Sequence, residues 1–211
     1  MDNYLDMEST LREEETFYNE EPKEMHIENV RKTGEMLIEH AYQHMSKFKE
    51  DLHGSDDNET IDTNAQFYLG LSIGLELLLK SEFIRRKINI IDRKNENKLY
   101  TISFRRIIEN LDKILDIDKD DLSEIKLTLD LIRIRRDNLA HLAHKRFINY
   151  PDEHRISYVV LLIYDKLGGN NKRLIEKLKE RIEKSKVISG MDYKPLKSMP
   201  SQLINNGEVL K

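Results

Sequence analysis

The chain has 211 residues and a formal net charge of −4, which suits one helical domain with tails and gives no overall attraction to nucleic acid. Hydrophobic residues make up 38% and charged residues 35%, with no Trp and only 4 Pro, which favours long, charge-faced helices over a β-sandwich. The lack of cysteine excludes disulfides, thiolate zinc sites and cysteine nucleophiles. The composition therefore predicts an all-α protein of a reducing cytoplasm.

Residues 1–25 are strongly acidic and contain few apolar side chains, so they are expected to form a flexible arm. They lack the basic and then apolar order of a secretory signal. The most apolar stretch, residues 65–84, contains too many polar residues for a membrane span. We therefore expect a cytoplasmic protein without a membrane segment.

Apolar residues at spacings of three and four predict a first helix over residues 27–52, which GSDDNET at residues 54–60 ends. A second helix is predicted over residues 63–87. It is apolar on two sides, which is typical of a central helix. Gly70 and Gly74 lie four residues apart on it, a spacing that favours the close approach of another helix.

The segment IDRKNENKLY at residues 91–100 is expected to form an exposed loop. Ser103 is a predicted N-cap for a third helix that carries apolar residues up to Leu115. A fourth helix is predicted over residues 122–144.

Pro151 suits the start of a fifth helix, and the following run ISYVVLLIYDKL is apolar enough to be buried. GGNN at residues 168–171 predicts a turn before a last helix that ends near residue 187. Residues 188–211 contain two prolines and the triplet NNG, and are expected to form a flexible tail. The predicted folded domain therefore covers residues 26–187.

Two histidine pairs are weak candidates for metal sites. His40 and His44 have a chelating spacing but no evident third ligand, and Glu50 with His53 would need a second such motif. The sequence contains no glycine-rich phosphate loop and no nucleotide-binding motif. No metal and no cofactor are therefore predicted.

The segment RIRRDNLAHLAH at residues 133–144 places charged and polar residues where the fourth helix should stay apolar. Its apolar stripe, which includes Leu129 and Ile132, is interrupted by Arg136. Polar side chains from Arg136 to His141 share one arc of about 140° on the helix. One interpretation is a charged helix end, with Arg136 reaching water or forming a salt bridge. The other is a functional site.

The run RDNLAH at residues 136–141 resembles the R-x4-6-H motif of the HEPN superfamily, the higher eukaryotes and prokaryotes nucleotide-binding domains. The segments LGLSIGLELLLKSEF at residues 69–83 and RRIIENLDKIL at residues 105–115 are similar to the helices that precede the motif in such domains. The resemblance covers about residues 27–187. It implies an all-α, up-and-down helical bundle of HEPN type, here with an extra N-terminal helix.

The resemblance also implies a homodimer in which two motifs face each other across a cleft. Such domains are often metal-independent endoribonucleases of toxin, anti-phage or RNA-processing systems, so RNA and a cognate antitoxin or regulatory protein are the expected partners.

The residue types suit this chemistry. A neutral imidazole can deprotonate an RNA 2′-hydroxyl, which makes His141 the predicted base. A guanidinium can bind the developing phosphate charge, the role predicted for Arg136. Asp137 is expected to orient the imidazole. Contacts to RNA are predicted for Asn138, Arg133, Arg135, His144, Lys145 and Arg146.

Two alternatives stay open. The first is a non-catalytic HEPN-like module that binds a partner protein, a nucleotide or RNA, for which the same fold and dimer would suffice. The second is a helical interaction protein with no relation to this superfamily.

Overall fold

The computed structural model describes residues 24–50, 57–95, 98–142 and 150–189, together with Lys197. Their elements follow in chain order as α1 (Glu24–Glu50), α2 (Asp57–Arg85), β1 (Ile91–Asn95), β2 (Lys98–Thr101), α3 (Phe104–Glu109), α4 (Lys119–Leu142), α5 (Tyr150–Lys166) and α6 (Lys172–Ser189). A short 3₁₀ turn, Leu111–Lys113, lies between α3 and α4. The predicted helical fold class is confirmed, while the HEPN type stays a prediction.

Helices α1 and α2 pack closely at three glycines. A Cβ atom on Gly74 would lie 2.7 Å from Ile38 Cγ1 and 2.8 Å from the carbonyl oxygen of Gly34. A Cβ atom on Gly70 would lie 3.3 Å from Ala41 Cβ. The two helices can approach to this distance only because side chains are missing there. The packing role predicted for Gly70 and Gly74 is confirmed.

Helix α5 forms the centre of the bundle. The side chains of Ile156, Val159, Val160, Leu162 and Ile163 have no exposed surface. A helix that is apolar on all sides must be enclosed by other elements. The burial predicted for ISYVVLLIYDKL is confirmed, and this segment is a helix although its β-branched residues would also suit a strand.

Other local predictions are also confirmed. Ser103 is the N-cap of α3, where its side chain accepts a hydrogen bond from the backbone N–H of Arg106. Residues 168–171 form the turn before α6, and Gly168 has a φ of 67° that favours glycine. In both places the residue that determines the backbone conformation lies within the segment itself.

The loop predicted for residues 91–100 is wrong, because β1 and β2 form an antiparallel hairpin in this segment. Ile91 pairs with Thr101, and Asp92 pairs with Tyr100. Hydrogen bonds between backbone groups hold such a pair, so a polar segment can form it without an apolar pattern. Ile90, directly before β1, is buried and joins the hairpin to the core.

Several predicted boundaries also differ from the structure. Helix α2 begins at Asp57, inside the predicted break, and an acidic residue is favourable at a helix N-terminus. Helix α3 ends at Glu109 rather than near residue 115. The first and fourth helices begin three residues earlier than predicted. Residues 1–23, 190–196 and 198–211 lie outside the described residues, so the flexible arm and tail stay predictions.

Buried polar contacts tie the helices together. Tyr164 of α5 donates a hydrogen bond from its hydroxyl to Glu35 Oε1 of α1 at 2.8 Å and accepts one from the backbone N–H of Asn171 at 3.0 Å. Burial, and then the bond to Glu35, raise the pKa of Tyr164 to about 12, against the opposing effect of the Asn171 N–H.

At the C-terminal end of α2, the Glu82 side chain is only 3% exposed and accepts hydrogen bonds from Arg85 at 2.8 Å and Arg86 at 2.6 Å. Burial alone would raise the pKa of this carboxyl, but the two guanidinium groups outweigh burial and lower the pKa. None of the helices in the described ranges is both long and apolar enough to cross a membrane.

Candidate functional site

Arg136 lies where α4 packs against α2. Its Nη1 donates to Ser72 Oγ at 3.1 Å, and its Nε and Nη2 donate to Asp137 Oδ1 at 3.0 and 2.9 Å. Glu76 Oε2 of α2 lies 3.7 Å from Nη1. The Arg136 side chain is 23% exposed, so it lies at the rim of the core. Within the described part of the chain, Arg136 therefore forms salt bridges, as one of the two interpretations of the sequence predicted.

The same cluster extends along α2 to the hairpin. Lys80 Nζ donates to Glu76 Oε1 at 2.6 Å and to Thr101 Oγ1 of β2 at 2.8 Å. Ser72 is fully buried, whereas Glu76 and Lys80 are half-buried. The cluster therefore joins three elements, α2, β2 and α4, through Arg136, Glu76 and Lys80.

Asp137 lies between two arginines. Its Oδ1 accepts from Arg136, and its Oδ2 accepts from Arg133 Nη1 at 3.0 Å. Arg133 Nε also donates to Asp130 Oδ1 at 2.8 Å, and this bond in particular raises the pKa of Arg133. Both oxygens of Asp137 hold guanidinium groups, so its described contacts position Arg136. The role predicted for Asp137 beside His141 stays a prediction.

Arg135 packs against α2 rather than facing an open groove. Its guanidinium donates to the Tyr68 hydroxyl, and its central carbon lies 5.3 Å from the centroid of the Tyr68 ring. Tyr68 is almost fully buried. Asn138 is half-buried on the next turn of α4, and the described partners of Arg136 are Asp137, Ser72 and Glu76 rather than Asn138. Arg135 therefore has a structural contact that its predicted RNA-binding role did not include.

His141 lies in the last turn of α4, but its side chain is not among those described. The other predicted RNA contacts, His144, Lys145 and Arg146, lie outside the described residues. The helix is continuous from Arg136 to Leu142, so the backbone positions of the motif are helical as predicted.

The contribution of α2 to this cluster was not predicted from the sequence. Ser72, Glu76 and Lys80 follow one another at intervals of four residues, so they share one face of that helix. These polar residues interrupt an otherwise apolar central helix. That interruption is the signal that could have indicated a polar partner on another helix.

The charges in this cluster are balanced. Three cationic groups, on Lys80, Arg133 and Arg136, face three carboxylates, on Glu76, Asp130 and Asp137. Opposite charges at these distances attract one another, and each reduces the field that its partner presents to a ligand. A phosphate that binds Arg136 would therefore compete with Asp137 and Glu76.

Within the described ranges, no three His, Cys, Asp or Glu side chains come together in a group that could hold a metal ion. No protein-family model matches the sequence, and no curated protein and no solved structure matches it. The function is therefore inferred from the residues and their geometry.

Proposed function

We propose that the protein is a metal-independent endoribonuclease of HEPN type that cleaves RNA by transesterification. The observation that supports this is the position of Arg136, which is partly exposed and held by Ser72 and Asp137, five residues before His141 on one continuous helix. A guanidinium has five N–H groups, and three are engaged by these partners. Among the described residues the other two form no hydrogen bond, although Glu76 Oε2 lies 3.7 Å from Nη1, and the proposal assigns them to a phosphate.

Each step of the reaction uses a side chain of the motif. His141 in its neutral form removes the proton of the RNA 2′-hydroxyl, and the 2′-oxygen attacks the adjacent phosphorus. The bond from phosphorus to the 5′-oxygen breaks, and a second imidazole, in its protonated form, donates a proton to that leaving oxygen. In a homodimer, the second copy of His141 supplies this proton. Arg136 stabilises the negative charge on the phosphate in the transition state, and Asp137 positions Arg136.

The RNA would approach across the end of α4, where the motif lies. A ribonuclease of this kind acts inside the cell as a toxin or an anti-phage effector, and it requires control by an antitoxin or another regulatory protein. The homodimer and the regulatory partner belong to this proposal, as they follow from the same resemblance.

A non-catalytic HEPN-like module that binds a partner protein, a nucleotide or RNA is the second candidate. The balanced charges around Arg136 favour it, because a side chain with two carboxylate neighbours already has a structural role. In this case Arg136 would join α4 to α2, and His141 would have no chemical role.

Incubation of the purified protein with RNA in EDTA separates the two candidates. The ribonuclease should produce ends that carry a 2′,3′-cyclic phosphate, and DNA of the same sequence should resist because it lacks the attacking hydroxyl. His141→Ala should abolish cleavage. His40→Ala, at an exposed position of α1, is the matched control and should retain it.

The opposite results have distinct meanings. Binding of RNA without cleavage would support the non-catalytic module. Cleavage that requires added magnesium, or that persists in His141→Ala, would contradict the proposed mechanism.

A further inference from the structure

Two cations share the carboxylate of Glu76. Lys80 Nζ lies 2.6 Å from Glu76 Oε1, which is the distance of a charge-assisted hydrogen bond. Arg136 Nη1 lies 3.7 Å from Glu76 Oε2, which is too far for a hydrogen bond. Attraction between charges weakens with distance, so Lys80 holds this carboxylate more strongly than Arg136 does.

Lys80 is itself fixed beside Glu76. Its Nζ also donates to Thr101 Oγ1 of β2 at 2.8 Å, which joins the ammonium group to the hairpin. The Lys80 side chain is only 12% exposed, so it has little freedom to turn into water. Lys80 and Glu76 are four residues apart on α2, a spacing that brings two side chains of a helix together. The position of the Glu76 carboxylate therefore depends on Lys80.

The distance of Glu76 determines which N–H groups of Arg136 stay available. Nε and Nη2 each donate one hydrogen bond to Asp137, and Nη1 donates one to Ser72. One further N–H is left on Nη1 and one on Nη2. A guanidinium binds a phosphate best through two parallel hydrogen bonds. If Glu76 approached Nη1 to about 2.8 Å, it would occupy one of these two groups.

We propose that Lys80 is a positioning residue that holds the Glu76 carboxylate away from Arg136 and so keeps two N–H groups of Arg136 available to a phosphate. The inference deepens the proposed function, and it rests on that function for the identity of the phosphate, a phosphodiester of RNA. Lys80 acts through Glu76 and does not contact the reacting atoms. Its effect on Arg136 can be measured in the absence of RNA.

Modification of Arg136 by phenylglyoxal, followed by peptide mass spectrometry on the full-length chain, measures how available its guanidinium is. A carboxylate at hydrogen-bond distance stabilises the charged guanidinium and hinders the reaction. Lys80→Met should therefore slow the modification of Arg136 about threefold, the effect expected for a partly exposed ion pair. Arg105, which is 73% exposed on α3, is the internal reference in each sample.

Substitution of Glu76 separates this role from a direct effect of the lysine charge. A lysine can also attract a phosphate by itself, and that contribution would be lost in every variant without Lys80. If Lys80 acts through Glu76, adding Glu76→Gln to Lys80→Met should return the modification rate to within about twofold of Glu76→Gln alone. Lys80→Arg keeps the cation and should stay close to the natural rate.

Lys184 and Glu180 provide a matched control. They form the same kind of ion pair, four residues apart, on α6, and neither contributes to the cluster around Arg136. Lys184→Met, with and without Glu180→Gln, changes the net charge of the protein by the same amounts. Both control variants should leave the modification of Arg136 unchanged.

The affinity for a single-stranded RNA oligonucleotide, measured by fluorescence anisotropy at one fixed salt concentration, connects the same variants to the proposed function. Lys80→Met should weaken binding about threefold, and the added Glu76→Gln should restore it. If Lys80→Met does not fold, Lys80→Gln takes its place in both measurements.

Three results would overturn the proposal. The first is an unchanged modification rate of Arg136 in Lys80→Met, and the second is a loss that persists after Glu76→Gln is added. The third is recovery of the modification rate without recovery of RNA affinity, which would show that Lys80 itself contacts the phosphate. The expected modification pattern in a chain that neither binds nor cleaves RNA would support the role of Lys80 and contradict the ribonuclease proposal instead.

Discussion

Replacement of Arg136 by Leu tests whether the cluster between α2 and α4 stabilises the fold. The substitution removes three hydrogen bonds, one to Ser72 and two to Asp137. Asp137 is 38% exposed and can be solvated by water, so this part of the loss is at most about 1 kcal/mol. The Ser72 hydroxyl is fully buried and loses the guanidinium as a partner, which costs about 1–3 kcal/mol.

Two compensations reduce this loss. Lys80 still pairs with Glu76 at 2.6 Å, and a leucine at position 136 gains apolar burial at the rim of the core. We therefore expect Arg136→Leu to lower the free energy of unfolding by about 1–2 kcal/mol. For a chain of this size the melting temperature should fall by about 2–8 °C.

Thermal and urea unfolding followed by circular dichroism would measure this change. Arg105→Leu is the matched control, because Arg105 forms an ion pair four residues along its helix but is 73% exposed. It should change the free energy of unfolding by less than about 0.5 kcal/mol. A double-mutant cycle with Ser72→Ala should give a coupling energy of about 1 kcal/mol. An unchanged or higher melting temperature for Arg136→Leu, with no coupling to Ser72, would refute a stabilising role for this cluster.

Three further predictions concern the packing and the buried titratable groups. Gly74→Ala should destabilise the protein by about 1–3 kcal/mol in urea unfolding, since its methyl group would collide with α1, whereas Gly70→Ala, with more room, should be close to neutral. The pKa of Glu82 is lowered in the folded state, so its stabilisation is present above the ordinary glutamate pKa and is lost as the pH falls through the folded value. Glu82→Gln should therefore reduce the free energy of unfolding at pH 7. It should also weaken the fall of that free energy below about pH 5. An equally steep decline in that variant would contradict the assignment. The pKa of Tyr164 is raised, so its contribution to stability is present below the ordinary tyrosine pKa and is lost as the pH rises through about 12. In urea unfolding at alkaline pH, Tyr164→Phe should therefore lose less stability than the natural chain. The same loss in both proteins would exclude Tyr164 as its source.

Much of the helical architecture could be predicted from the sequence, because its determinants are local. The apolar run in α5, the cap at Ser103 and the turn at Gly168 each act within a few residues. The glycines of α2 could also be predicted as a place of close approach, since missing side chains have one packing consequence regardless of the partner.

The order of charged residues around Arg136 marked a candidate site, but the sequence alone could not show what Arg136 contacts. Ser72 and Arg136 are separated by 64 positions, and only the packing of α2 against α4 brings them within 3.1 Å. The same applies to the pairing of β1 with β2 and to the contact of Lys197 with Asp120. Periodicity indicates which face of an element is buried, whereas the element that packs against this buried face depends on how all the elements pack together. The sequence therefore determined the helices and the position of the motif, and the tertiary structure decided that Arg136 lies at the rim of the core beside two carboxylates.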